Sequence, residues 1–366
     1  MRILVAMSGG VDSSVVAGLL AEQGHDVIGA TLQLYDHGAA VQKKGACCAG
    51  QDIHDARDVA DRLGIPHYVL DRESRFRDAV IGDFADSYAR GETPIPCVRC
   101  NQTVKFQDLV ALAKDLGCEA LATGHYARRV EGPDGPELRR AADPARDQSY
   151  FLFATTREQL AFARFPLGDM PDKAAVRREA VRLGLAVAEK PDSQDICFVP
   201  SGRYHDLVAK LRPEAAESGE IVDREGHVLG RHQGMARYTV GQARGLGLPG
   251  EAGLRVAALD PARRRVVVAP AASIPVTSVP VGEVNWLSEP PAVAFRAEAK
   301  FRAREVPQPV TAVWDAEARR LIVTPDQPVI SAPGQGCVLY DGDRVLGGGF
   351  IRPGRVAPVD ASAPAA

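Results

Sequence analysis

A chain of 366 residues is longer than one hydrophobic core usually serves, so two or three domains are expected. Apolar residues make up 45% and charged residues 25%, an ordinary globular balance that argues against extended disorder. The net charge of −3 excludes a general electrostatic attraction to nucleic acid, so any RNA contact has to come from local basic patches.

Met1 to Met7 hold one arginine and a short apolar run that leads straight into Ser8, Gly9 and Gly10. That run is too short for a signal peptide or a membrane span, and a cytoplasmic protein is expected. Seven cysteines (Cys47, Cys48, Cys97, Cys100, Cys118, Cys197 and Cys337) without an export signal point to thiol or metal chemistry, not to a secreted disulfide framework.

In chain order, Arg2 to Met7 reads as a strand, and Val15, Val16, Leu19 and Leu20 then recur on one helical face, which Gly24 ends. Val27 to Leu34 resumes as a strand. A helix from about Asp52 to Leu63, a strand at His67 to Leu70, a helix from Val104 to Leu116 and a strand at Ala120 to Thr123 come next. Such alternation predicts a doubly wound, mainly parallel α/β (Rossmann-like) domain. Ligands in such sheets bind at the carboxyl ends of the strands, which places Ser8 to Ser14 and Gly124 with His125 in one crevice.

From about Ser218 short β-type runs take over, with a hairpin turn expected at Asp223 to Gly226. Runs at Val266–Val268, Val279–Val284, Ala294–Lys300, Val310–Trp314, Leu321–Thr324, Cys337–Tyr340 and Val345–Phe350 suggest a small β-barrel. The expected divisions are residues 1–210, a small central β-rich domain at 211–275, a C-terminal barrel at 276–352 and a disordered Ala/Pro-rich tail from 353 to 366. Candidate basic patches are Arg128 with Arg129, Arg139 with Arg140, Arg263 to Arg265, and Arg296, Lys300, Arg302 and Arg304. Each alone reads as solvated surface.

Ser8-Gly9-Gly10-Val11-Asp12-Ser13-Ser14 lies between a strand and a helix, where backbone N–H groups and the positive helix end can hold phosphates. It is neither a Walker A loop nor a G-x-G-x-x-G fingerprint. The plainer reading is a glycine turn with Asp12 or Ser13 capping the helix. The stretch resembles the SGGxDS signature of the PP-loop ATP pyrophosphatases, which cleave ATP between the α and β phosphates and adenylate an oxygen of the substrate. The resemblance implies nucleotide contacts at Ala6, Met7, Ser8, Gly9, Gly10, Val11, Asp12, Ser13, Leu32 and Gly124, with Mg²⁺ accompanying ATP.

Cys97-Val98-Arg99-Cys100-Asn101 is a C-x-x-C whose preceding Pro94 and Pro96 are expected to keep it extended and out of a regular helix. Arg99 or the start of the Val104 helix is expected to lower a thiol pKa. Half a zinc site, a redox pair and a catalytic thiol all remain open for the motif alone. With no second C-x-x-C present, zinc is the weaker choice.

Asp192-Ser193-Gln194-Asp195-Ile196-Cys197-Phe198, Gly124-His125-Tyr126 and Asp147-Gln148-Ser149-Tyr150-Phe151-Leu152 together resemble the tRNA-specific 2-thiouridylases. The likeness extends to Gly241-Gln242, Gly245-Leu246-Gly247 and Pro333-Gly334-Gln335, and so covers nearly the whole chain. It implies Cys100 as nucleophile, Cys197 as persulfide carrier and Cys97 as auxiliary. It also implies tRNA contacts at Ile95, Pro96, Cys97, His125, Arg146, Asp147, Gln148, Lys300, Phe301 and Gln335. Many members carry Asn where Ile95 stands and Asp or Cys where Cys97 stands, which leaves an acid/base role unassigned, with Asp12 and His125 as candidates. Phe301 reads equally well as a β-core residue.

The implied reaction is adenylation of a wobble-uridine C2 oxygen, then sulfur transfer from a relay that begins at a cysteine desulfurase, with the tRNAs for Lys, Glu and Gln as substrates. The alternative is a [4Fe–4S] enzyme in which Cys97, Cys100 and Cys197 hold the iron–sulfur cluster.

Overall fold

The computed structural model describes residues 1–35, 49–192, 196–199, 203–249 and 252–354. Cys47, Cys48, the Ser193-Gln194-Asp195 part of the third cysteine motif and nearly all of the expected tail lie outside these described residues.

Five strands form an all-parallel sheet: β1 (Arg2–Ala6), β2 (Asp26–Gln33), β3 (His67–Asp71), β4 (Ala120–Ala122) and, later in the chain, β7 (Ala163–Arg164), in the order β3-β2-β1-β4-β7. Ile3, Leu4 and Val5 of β1 are buried, as a central strand covered on both faces requires. The helix Val11–Glu22 packs between that sheet and the helix Lys173–Arg182. Its buried residues run all round it, which is why it lacks a polar stripe. Strand order reverses between β1 and β4, so the crevice of this sheet opens where β1 gives way to the glycine loop and β4 to Gly124.

The expected helix at Val104 begins earlier. Pro96 does not hold the chain extended. It occupies the first turn of a helix Pro96–Cys100, where its missing N–H and fixed φ cost nothing. That helix runs through a π-turn, Asn101–Lys105, into the helix Phe106–Asp115.

A hairpin of β5 (Ala127–Gly132) and β6 (Gly135–Arg140), unanticipated because its strands are highly charged, leaves the parallel sheet. Strands β8 (Gly219–Val222), β9 (Val228–His232), β10 (Leu254–Asp260) and β11 (Arg265–Pro270) make a second sheet, and the Asp223–Gly226 turn joins β8 to β9 as expected. Strands β12 (Val279–Trp286), β13 (Phe295–Lys300), β14 (Gln308–Asp315), β15 (Arg320–Pro325), β16 (Gly336–Asp341) and β17 (Arg344–Ile351) take the order β12-β15-β14-β13-β16-β17. Pairing of β12 with β17 closes them into a six-stranded antiparallel barrel around Val281, Phe301, Val310 and Leu339. β6 pairs with the outer side of β17, so one sheet spans the barrel and the hairpin.

Candidate active site

At the end of β1 the chain turns through Gly9, whose φ of 71° and close approach to Asp52 leave no room for a side chain: a Cβ there would lie 2.1 Å from the Asp52 carbonyl oxygen. Gly10 is the N-cap of the next helix and no side chain caps it, which sets aside the plain capping role for Asp12 or Ser13. The first-turn N–H groups are left to an anion. The Ser13 hydroxyl instead closes the loop on itself: it accepts from Ser8 N at 3.1 Å and donates to the Gly10 carbonyl at 3.2 Å. Gly124 meets this loop from β4, where a Cβ would come within 3.0 Å of Ser13 N. Ala6 and Leu32 are partly buried beside the same core.

Two lysines not singled out in the sequence support the loop. Lys190 Nζ donates to the Gly9 carbonyl at 2.9 Å and to Asp52 Oδ1 at 2.7 Å, and also binds Asp55. Lys173 Nζ contacts Asp12, which also accepts the Tyr126 hydroxyl at 2.7 Å, and lies 2.8 Å from Asp192 Oδ1. Burial would raise the Asp192 pKa, but hydrogen bonds from Lys173 and Arg146 outweigh it and hold the carboxyl below its usual range. No local signal marks these side chains, because only the fold brings them to the loop. Asp12, engaged by Lys173 and Tyr126, is poorly placed as a free general base.

The cysteines converge on the neighbouring part of the cleft. Cys100 and Phe198, the residue after Cys197, pack with Leu32 around Phe76, Val80 and Val104. Cys97, Cys100 and Cys197 are all free thiols, and the charge of each of the first two would be felt at Cys197. Cys97 and Cys197 present surface, yet their sulfurs sit among enough protein for burial to dominate their acidity. Burial raises Cys97 and Cys100, opposed by Lys105. Cys197 is pushed up to about 12 by burial and then by Cys100 and Cys97, against the pull of Lys105 and a hydrogen bond with Tyr35.

The expected lowering by Arg99 does not occur, since its guanidinium turns away to Glu283 and Asp83. The cation that faces the thiols is Lys105, at the end of the π-turn. A π-turn inserts a residue into the helical repeat and so rotates the end of that turn toward the Cys100 side. Lys105 also opposes protonation of His125, whose pKa burial has already pushed far below the usual range. His125 is thus a neutral ring, stacked on Phe106 at 6.2 Å and hydrogen-bonded through Nδ1 to the Thr123 hydroxyl at 2.7 Å, and not a poised base.

Several residues assigned to RNA are engaged internally. Asp147 is buried, accepts from Ala141 N and Ser149 N, and lies 3.3 Å from the buried Lys300 ammonium. Phe301 is wholly buried in the barrel and has no free ring face for a base, so the core reading of that residue holds. Arg146 pairs with Asp192, the Gln148 side chain accepts from Tyr126 N, and the Gln335 amide donates to the Thr93 carbonyl at 3.0 Å. Ile95 and Pro96 are buried and Cys97 is exposed. Most arginines of the basic patches carry carboxylate partners: Arg128 and Arg139 on Asp343, Arg129 on Glu131, Arg263 on Asp260, Arg264 on Glu217, Arg265 on Glu220 and Arg296 on Asp326.

A glycine loop at the switch point of a parallel sheet, opening an uncapped helix and bordered by converging thiols, defines a nucleotide-binding α/β enzyme with cysteine chemistry. Family models for the tRNA methyl transferase HUP domain, the tRNA methyl transferase PRC-barrel domain and the aminomethyltransferase beta-barrel domain match residues 1–201, 205–270 and 276–351. The chain is 66% identical to the tRNA-specific 2-thiouridylase MnmA of Acidiphilium cryptum, over 96% of this chain and 100% of that one. It is 61% identical to the protein of the same name from Gluconobacter oxydans, over 97% and 99% of the two chains. The chain belongs to the tRNA-specific 2-thiouridylase family.

Proposed function

We propose that the protein uses ATP to replace the C2 oxygen of a tRNA uridine by sulfur, giving 2-thiouridine, AMP and pyrophosphate. The observation that supports this reading is Leu32, which packs with Cys100 and Phe198 and, like Ala6 at the strand end that leads into the glycine loop, lies on the adjoining core. A uracil C2 carbonyl is a poor electrophile and its oxygen a poor leaving group. In the first step that oxygen attacks the α-phosphorus, the bond to the β-phosphate oxygen breaks and pyrophosphate leaves. The uncapped N–H groups after Gly10 and the Lys173 ammonium are the groups that stabilise charge there.

In the second step sulfur carried as a persulfide on Cys197 reaches C2 and AMP departs with the oxygen. Cys100 thiolate attacks the Cys197 sulfur, either freeing sulfide to attack C2 or releasing sulfur already bonded to it. Both routes form a Cys100–Cys197 disulfide, which an external thiol reductant reopens. Lys105 is the cation placed to favour the Cys100 thiolate.

Mg²⁺ accompanying ATP would draw most ligands from phosphate and water, with Asp12 as the nearby carboxylate. Among the described residues no three His, Cys, Asp or Glu side chains group to hold a metal ion. The reading includes tRNAs for Lys, Glu and Gln as substrates, a cysteine desulfurase relay as sulfur source, and residence in the cytoplasm. No helix among the described residues is long and apolar enough to cross a membrane.

Mass spectrometry of tRNA nucleosides after incubation with ATP and a persulfide donor tests the proposal. Wild-type protein should yield 2-thiouridine, whereas undiminished product from Cys100→Ser would sink it.

A further inference from the structure

Arg99 stands between the two cysteines of the helix Pro96–Cys100, yet its guanidinium leaves the cleft. Its Nη1 and Nη2 donate to the Glu283 carboxylate at 2.7 and 3.1 Å, and its Nε lies 3.3 Å from Asp83 Oδ2. The planar group also covers the Phe350 ring at 4.1 Å. Glu283 and Phe350 lie on β12 and β17, so a residue bracketed by thiols is gripped by the barrel.

The backbone at Glu283 is shaped for this grip. The pairing of β12 with β17 slips between Gly282 and Asn285, and Glu283 takes a φ of 49°, a strained value for a residue with a side chain. Such bulges re-aim side chains beside active sites. Here the re-aimed carboxylate reaches Arg99, while Asn285 donates to the Phe153 and Thr155 carbonyls at 2.7 and 2.9 Å and pins the bulge. The Arg99 side chain is 19% exposed and that of Glu283 42%, and Arg352 also binds Glu283, so the strained residue sits in a part-buried charge cluster where the helix meets the barrel.

We propose that Arg99 and Glu283 are positioning residues for sulfur transfer: the barrel, through this bidentate pair, sets where Cys97 and Cys100 stand relative to the substrate base. This rests on the sulfur-transfer reading. A guanidinium–carboxylate fork fixes both distance and plane, which a single hydrogen bond does not.

The test compares wild type, Glu283→Gln and Arg99→Lys, which keeps the charge and loses the fork. Each is assayed for thiolation of tRNA, pyrophosphate release and iodoacetamide labelling of Cys100. In Glu283→Gln the kcat for thiolation should fall roughly ten- to a hundredfold, the scale expected when a reacting group is misplaced by about 1 Å. KM for tRNA and pyrophosphate release should hold, the Cys100 labelling rate should change, and Arg99→Lys should show the same pattern because a point charge cannot replace the fork. Unchanged kcat and labelling overturn the proposal, as does a loss confined to KM for tRNA. If Glu283→Gln fails to fold, Glu283→Asp, which shortens the fork by one methylene, is read by the same criteria. A wild-type protein inactive in thiolation would defeat the sulfur-transfer reading, and the labelling comparison would still decide the positioning role.

Discussion

The ammonium of Lys173 lies 2.8 Å from both carboxylate oxygens of Asp12 and 2.8 Å from Asp192, so one cation joins the nucleotide loop to the segment that leads toward Cys197. In the proposed reaction this ammonium is one of the donors beside the phosphates, and replacing it also releases Asp12 and Asp192. Lys173→Met should lower the rate of pyrophosphate release by roughly a hundredfold, the usual effect of losing one such donor. Pyrophosphate release under saturating tRNA checks this, and a rate equal to wild type would assign Lys173 to the fold alone.

In the proposed reaction the two thiols act after activation. Cys100→Ser and Cys197→Ser should each abolish detectable 2-thiouridine while pyrophosphate release persists, since neither sulfur touches the glycine loop's own hydrogen bonds. Nucleoside mass spectrometry paired with a pyrophosphate assay separates the two steps.

Acidity gives a third expectation. All three thiols are raised by burial, so the thiolate fraction at neutral pH is below that of an ordinary cysteine and grows as pH rises. Labelling of Cys100 should therefore be slow near neutrality and keep climbing beyond the usual thiol range. Cys197, pushed up to about 12 by burial, should likewise label slowly at neutral pH. Lys105→Met removes the opposing cation and should slow labelling of Cys100 at neutral pH, the difference closing as the pH rises and both forms ionise, which peptide mapping resolves.

Asp147 and Lys300 bear on RNA binding differently from what the motif suggests. Their side chains are 1% and 5% exposed, so Asp147→Asn leaves an uncompensated buried ammonium and should destabilise the protein by about 3 kcal/mol. Denaturant unfolding of the free protein measures this. A variant as stable as wild type but weak in tRNA binding would restore Asp147 as an RNA contact.

The strands of the parallel sheet and barrel were legible because apolar runs of the right length end at Gly, Pro or Asp, and Val279–Trp286, Arg320–Pro325 and Arg344–Ile351 extend the expected runs by only a few residues. The glycine loop stood out by its place between a strand and a helix, whereas local spacing left the C-x-x-C open among zinc, redox and catalytic readings, and the roles of Cys100 and Cys197 came only from resemblance. Pro96 misled because proline both breaks helices and begins them, and only the tertiary setting decides. Lys173 and Lys190 were invisible because each acquires its role by meeting a residue far away in the chain, and Lys105 because no helical turn was expected to join it to Cys100.

Where β6 lies against β17, a ribbon from the first part of the chain completes its main-chain bonding on the last. Cutting the gene between them would strand that short junction and the Arg128 and Arg139 ion pairs to Asp343, leaving an open strand end on each fragment, an invitation to clumping. The two pieces are therefore expected to behave well only when made together, and a protease nick between them should leave the halves clasped.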